Sequence, residues 1–337
     1  MPATNHLHLF EKKILLAPLD WGLGHAARCV PLIKRLQQQN NYFTIACTAQ
    51  QKAFLQQELN DVEYVNLVGY NISYSTILPL WIKILLQLPK IYFAVRRENK
   101  WLASYLKKNK TDVIISDSRF GFYNKSVESI FITHQLNIQA PVFKRVINHI
   151  NYSFIKKYNQ CWIPDYAEEH KQLSGSLSKT NAELNIQFIN PLSRFEKKEF
   201  QQIKYDVLIL LSGPETQRTL LEEKLAAAFL HTNYNVALVR GSAIERKEDY
   251  PKNFYITDVA SSKQLQELFT FSNKIICRSG YSTLMDLHEL GLHALLIPTP
   301  GQTEQEYLAT YWQEKFGYTF IKQKNISKES IEAFMES

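Results

Sequence analysis

Cysteine is scarce in this chain, and its four residues are scattered. Cys29, Cys47, Cys161 and Cys277 form no Cys-x-x-Cys pair and have no histidine nearby at ligand spacing. This argues against a zinc site or a disulfide framework and leaves reduced thiols as the expectation. No run of about 18 uninterrupted apolar residues occurs, so no segment reads as membrane-spanning. The opening residues, MPATNHLHLFEKK, lack the apolar run of a signal peptide, and the expected location is cytoplasmic. A Gly-x-x-x-x-Gly-Lys-Ser/Thr loop is missing, which argues against a P-loop kinase. A Gly-x-Ser-x-Gly elbow is missing too, which argues against an α/β-hydrolase. Nor does any repeat of solenoid length appear.

What is present suits two ordinary domains. The chain has 337 residues, 45% apolar and 21% charged, enough for each half to bury a core. Apolar runs at Lys13–Pro18, Tyr42–Thr48, Tyr64–Val68, Val113–Ser116, Ile130–Thr133 and Cys161–Pro164 read as strands separated by helical stretches. The runs thin out between Tyr166 and Phe200, where SGSLSKTNAE reads as an exposed loop. Alternation restarts at Tyr205–Leu211 and continues through Val236–Val239, Phe254–Ile256, Ile275–Cys277 and Ala294–Pro298. Such alternation predicts parallel α/β sheets. Two Rossmann-like domains facing across a cleft are expected, residues 1–192 and 193–322.

The densest cluster of polar turns lies between Ile276 and Ala309. Ser279-Gly280 ends a strand, and glycine there lets backbone approach a ligand closely. Ser282 and Thr283 open a helix whose free N–H groups and positive dipole end suit a phosphate. Asp286 follows within reach of a neighbouring ribose. A further strand ends in Pro300-Gly301, followed by Gln302, Glu304, Gln305 and Glu306. Ligands in open parallel sheets sit at strand ends of this kind.

This segment resembles the C-terminal half of GT-B glycosyltransferases, and specifically the group of the GlcNAc transferase that forms lipid II in peptidoglycan synthesis. The matching positions are Cys277, Arg278, Ser279, Gly280, Asp286, Pro298, Gln305 and Glu306. The group usually has Glu at the position of Asp286 and a second Gln at the position of Glu306. The resemblance implies a GT-B fold with a nucleotide-sugar donor, UDP-linked, on the second domain. Ser279, Gly280, Ser282 and Thr283 would meet the diphosphate and Asp286 the ribose. Gln302, Glu304, Gln305 and Glu306 would meet sugar hydroxyls. It also implies a final helix, 323–337, returning to the first domain. Ser212 and Gly213, after the first strand of the second half, match the family's small-residue loop by position. Arg240 and Arg278 end strands where a cation can face phosphate, although such arginines often pair with local carboxylates.

The loop Asp20-Trp21-Gly22-Leu23-Gly24-His25 resembles the N-terminal glycine-rich loop of the same group, which also ends in Gly-His. A dinucleotide fingerprint is excluded because position 27 is Ala. Gly22 and Gly24 would line the acceptor, and His25 would be its general base, a task that suits imidazole near neutral pH. Asp117 either orients His25 or caps a turn. His134 ends another strand and either contacts the acceptor or is structural. No Asp-x-Asp triplet occurs, so metal-independent, inverting transfer to a hydroxyl is expected, with neither metal nor cofactor. A nucleotide-sugar 2-epimerase, or a non-catalytic nucleotide-sugar or lipid sensor, remains as an alternative on the same scaffold.

Charge is concentrated in one place. From Trp81 to Lys110 there are eight Lys or Arg against one acid, Glu98, so this segment alone matches the net charge of +7. It is also apolar and aromatic, beginning with Ile77–Leu80 and including Trp101. Such a surface suits an anionic membrane, with a peripheral position on its inner face and a lipid-linked acceptor. The competing reading is a pair of core helices with lysines outside. Nucleic acid is not expected, because nothing else extends the basic patch.

Overall fold

The computed structural model describes residues 7, 9–70, 87–180, 183–197, 202–242 and 250–337. The start of the basic segment, Ile77–Leu80 with Trp81 and Lys83, lies outside the described residues. The chain divides into two compact units, with the boundary between Arg194 and Phe195.

The first unit holds a seven-stranded sheet of β1 (Lys13–Pro18), β2 (Tyr42–Cys47), β3 (Val62–Asn66), β4 (Val113–Asp117), β5 (Glu128–Ile132), β6 (Gln160–Ile163) and β7 (Ile186–Phe188). The spatial order is β3-β2-β1-β4-β5-β6-β7, and every pairing is parallel. The inner strands are apolar on both faces, as a sheet covered by helices on each side requires. The crossovers include α1 (Leu23–Gln37), α2 (Ala49–Glu58), α3 (Leu88–Leu106) and α4 (Lys144–Ile155).

The second unit repeats the pattern with β8 (Tyr205–Leu210), β9 (Val236–Val239), β10 (Phe254–Thr257), β11 (Ser272–Cys277), β12 (Leu295–Leu296) and β13 (Thr319–Phe320). Their order is β10-β9-β8-β11-β12-β13, again parallel. Its helices are α5 (Gln217–Ala228), α6 (Ser262–Thr270), α7 (Tyr281–Leu290), α8 (Thr303–Phe316) and α9 (Lys328–Glu336). In each sheet the strand order reverses beside the first strand, between β1 and β4 and between β8 and β11. Loops leaving the carboxyl ends there diverge to opposite faces and leave room for a ligand.

Three expectations need correction. The stretch after Tyr166 is not simply an exposed loop. Asp165, fully buried, accepts from Leu173 N at 2.8 Å and Ser174 N at 2.9 Å, which pulls Ser174, Leu177 and Ser178 inside. β7 follows and pairs with β6. The terminal helix α9 does not return to the first unit: Ile331, 1% exposed, joins the second unit's core with Leu221, Leu225 and Phe229. Trp101 is not a surface aromatic, because it stacks on Tyr105 and Phe122 against the first unit's core.

Candidate active site residues

In the first unit the switch point falls at Pro18 and Asp117, which are register partners at the ends of β1 and β4. Leu19 N donates to Asp117 O at 3.0 Å, so the chain leaves β1 directly over that carboxylate. Gly22, with φ +90, caps α1 and turns the loop into the helix; a Cβ there meets nothing within 4 Å, so backbone conformation, not space, selects glycine. No side chain caps α1, and its third residue is His25. The His25 side chain is 20% exposed, and its Nδ1 lies 2.9 Å from Asp117 Oδ2. Its Nε2 has no partner among the described residues.

Asp117 is fully buried. Burial alone would raise its carboxyl, but Arg28 and then His25 outweigh that and bring it down to about 2. Arg28, which the sequence reading did not single out, donates through Nε to Asp117 Oδ1 at 3.0 Å. His134 is 7% exposed, with Nδ1 3.0 Å from Arg28 Nη1. His25, Asp117 and His134 therefore share one cluster, joined by Arg28. Gly24 lies exposed in the first turn of α1.

The second unit's switch point gathers most of the donor-side residues. Ser212 and Gly213 leave β8 in exposed positions, Gly213 with φ +104. Gly280, after β11, is the N-cap of α7, and no side chain caps that helix. A Cβ on Gly280 would meet nothing within 4 Å, so the approach to the helix start is open. Ser282, Thr283 and Asp286 are the half-buried positions of the first turns, spaced so that all three share one face. Tyr281, Leu284 and Met285 face the core.

The loop after β12 is tied to α8 from both sides. Thr299 N donates to Gln305 Oε1 at 2.8 Å, and Gly301 N donates to Glu306 Oε1 at 3.1 Å. Ser279 Oγ donates to Gln305 O at 2.8 Å, so this hydroxyl serves the scaffold rather than facing a phosphate. Gln302 is the N-cap of α8, and Glu304 is half-buried in its first turn. Thr299 is 2% exposed, yet its Oγ1 has no partner among the described residues, and it lies 3.6 Å from where a Cβ on Gly213 would stand.

The two arginines expected to face phosphate do not do so. Arg240 is 4% exposed and bonds Glu222 through Nε at 2.7 Å and Asp258 through Nη1. Arg278 is 1% exposed and donates to the carbonyls of Ile297, Pro298 and Gln217 at 3.1, 3.2 and 2.9 Å. It thereby staples the start of α5 to the loop after β12. Among the described residues no carboxylate pairs with Arg278, and burial lowers its guanidinium to about 10.

Comparison with known proteins gives this geometry a class. Residues 210–336 match the glycosyltransferase family 28 C-terminal domain. A Methanosarcina acetivorans protein described as an uncharacterized glycosyltransferase is 24% identical over 335 residues, 91% of this chain and 84% of the relative. A Methanosarcina mazei protein of the same description is 23% identical over 338 residues, with the same coverage. Among solved structures, the glycotransferase of kitacinnamycin superposes with a TM-score of 0.68 at 12% identity, covering 96% of this chain and 89% of that one. Arabidopsis thaliana UGT89C1 complexed with UDP also gives 0.68, at 14% identity and the same coverage. The chain has the GT-B fold, and its second unit is similar in sequence to the family 28 C-terminal domain.

Proposed function

We propose that the protein transfers a sugar from a UDP-sugar donor to a hydroxyl acceptor, without metal and with inversion. The observation that carries this reading is the turn at Gly280. There an open, uncapped helix N-terminus follows directly on a buried arginine that no carboxylate among the described residues neutralises. A buried cation without a counter-charge is costly, and an anion at the adjacent helix start offsets that cost. A diphosphate fits, and the orphaned Thr299 hydroxyl opposite Gly213 supplies a donor that a phosphate oxygen would satisfy. Asp286, on the same face of α7, then takes the ribose. Gln302, Glu304, Gln305 and Glu306 are assigned to sugar hydroxyls, although Gln305 and Glu306 each spend one oxygen on the loop. The UDP in the Arabidopsis complex, and the Cys-Arg-Ser-Gly turn shared with the lipid II-forming group, favour UDP-GlcNAc as the first donor to try.

On the acceptor side, His25 Nε2 takes the proton of the attacking hydroxyl. The new bond forms from acceptor oxygen to the anomeric carbon as the bond to the UDP oxygen breaks. The leaving charge passes to the diphosphate, where the α7 dipole receives it.

The acceptor we assign is lipid-linked. Within α3, Ala94, Val95 and Leu102 point inward, as a core helix demands, but Tyr92 and Phe93 are 48% and 67% exposed beside Lys90, Arg96 and Arg97. Exposed apolar side chains recur just before α4 at Val142 and Phe143 and along it at Val146 and Ile150, interleaved with Lys144 and Arg145. Ile91 of α3 and Phe154 of α4 pack in one cluster, so the two helices are neighbours in the first unit. Apolar side chains rimmed by cations fit an anionic lipid interface.

Changing Arg96, Arg97, Lys107 and Lys108 together to Gln is expected to reduce sedimentation with phosphatidylglycerol vesicles. It should also slow UDP release from UDP-GlcNAc on vesicles carrying a lipid-linked hydroxyl acceptor, with chelator present. Equal sedimentation of variant and wild type would remove the membrane from the proposal. UDP release that requires added metal would remove the metal-free mechanism.

A further inference from the structure

A base and its orienting carboxylate need only His25 and Asp117, yet a third charged side chain is buried between them. Arg28 follows one turn after His25 on α1 and is 3% exposed. Its Nε and Nη2 both donate to Asp117 Oδ1. Nη2 also donates to Ser118 Oγ at 3.1 Å and stands 3.0 Å from His25 Nδ1. Nη1 stands 3.0 Å from His134 Nδ1. A guanidinium has five donors, no acceptor, and keeps its charge in proteins. His134 Nδ1 therefore presents a lone pair and the ring proton sits on Nε2, where the Gln135 side-chain amide, its nitrogen 3.4 Å away, has to turn its oxygen to accept it.

At His25 the same nitrogen meets opposite demands. Asp117 Oδ2, at 2.9 Å, calls for an N–H; Arg28 Nη2, at 3.0 Å, calls for a lone pair. Arg28 already has Asp117 and Ser118 to accept its protons, whereas among the described residues Oδ2 has only the histidine and the weak Cys29 thiol at 3.8 Å. The proton thus belongs on His25 Nδ1, and Nε2 carries the free lone pair. With Asp117 alone, the ring would sit against an uncompensated anion. With Arg28 at nearly the same distance, the two charges cancel at the ring.

We propose that Arg28 is a positioning residue for His25: it anchors Asp117 by one oxygen, leaves the other for the histidine Nδ1–H, sets its charge against the carboxylate's at the ring, and so keeps Nε2 as the nitrogen whose lone pair accepts a proton. The same guanidinium locks His134 in the Nε2–H form. This inference rests on the reading of His25 as base. The charged or titratable groups around that ring are Asp117 from β4, Arg28 from α1 and His134 after β5. Burial pushes the Cys29 thiol well up, so it adds no charge.

Nitrogen NMR of the 15N-histidine-labelled wild type tests the arrangement without any variant. The expected forms are Nδ1–H for His25 and Nε2–H for His134. Arg28→Gln is then expected to lower kcat/KM and to move the acidic limb of its pH profile upward. The loss should be largest in acidic buffer and smaller in alkaline buffer, while Arg28→Lys would restore the limb toward wild type. A folded Arg28→Gln protein with an unmoved limb would overturn the inference. So would a wild-type His134 protonated on Nδ1. Should Arg28→Gln fail to fold, the wild-type tautomers and the Arg28→Lys profile decide. Unchanged turnover in His25→Ala would remove the base while leaving the tautomer result intact, so the two failures are separable.

Discussion

His25→Ala is expected to lower transfer by about 10²–10⁴-fold, the span that a positioned general base contributes. UDP affinity should stay within about twofold of wild type, because His25 lies in the first unit and every residue assigned to the donor lies in the second. The substitution is mild for the fold. The His25 side chain is partly exposed, and Asp117 keeps Arg28 as a partner when the imidazole is gone. A steady-state UDP-release assay beside a binding titration separates the two effects. Turnover equal to wild type would end the base assignment, whereas a joint loss of turnover and affinity would point to a folding defect.

Glu222→Ala is expected to be the most damaging change in the second unit. Glu222 is 1% exposed and accepts from Arg218 Nη1 at 2.5 Å, from Arg240 Nε at 2.7 Å and from the Tyr250 hydroxyl. Removing it takes the shared carboxylate from two buried guanidinium groups and leaves Arg218 with Glu215 and Arg240 with Asp258, a loss of about 1–3 kcal/mol. In a domain of this size that lowers Tm by roughly 5 °C. Burial works against the ionised Glu222 carboxyl, but Tyr250, Arg218 and Arg240 together hold it below its ordinary value. Its contribution is therefore complete at neutral pH and lost as pH falls below about 4. Thermal melts at pH 7 should show the full difference between variant and wild type, and melts at pH 3 a much smaller one. A Tm within a degree of wild type at pH 7 would show that Glu215 and Asp258 suffice for Arg218 and Arg240.

Much of this arrangement is legible in the chain because it is local. Apolar runs mark the inner strands, Gly22 and Gly280 mark the turns that follow them, and the spacing of Ser282, Thr283 and Asp286 gives a shared helix face. His25 and Asp117 meet because β1 and β4 are neighbours, which follows from the doubly wound order once two such domains are assumed. The less visible parts depend on partners distant in sequence. Arg28 stands at the i+3 position from His25, a signal that it shares the same helix face, but nothing in the local sequence says that His134 receives its other edge. Arg278 reads as a phosphate ligand at a strand end, yet the carbonyls it holds belong to loops brought near only by the packed sheet. The exposed stripe beside and along α4 is not legible, because burial cannot be read from one mixed helix. The unit that α9 joins is not legible either, because its few apolar residues do not name the core they enter.

The claim on which the rest depends is that the second unit binds a nucleotide diphosphate sugar at the start of α7. Isothermal titration of the purified protein with UDP, GDP, TDP and their common sugars, in chelator, tests it most directly. Saturable binding of UDP and of one UDP sugar is expected, at least about tenfold weaker in Asp286→Ala, the loss typical of one charged hydrogen bond. No heat of binding from any nucleotide, or UDP binding indifferent to Asp286, would contradict the donor site as assigned.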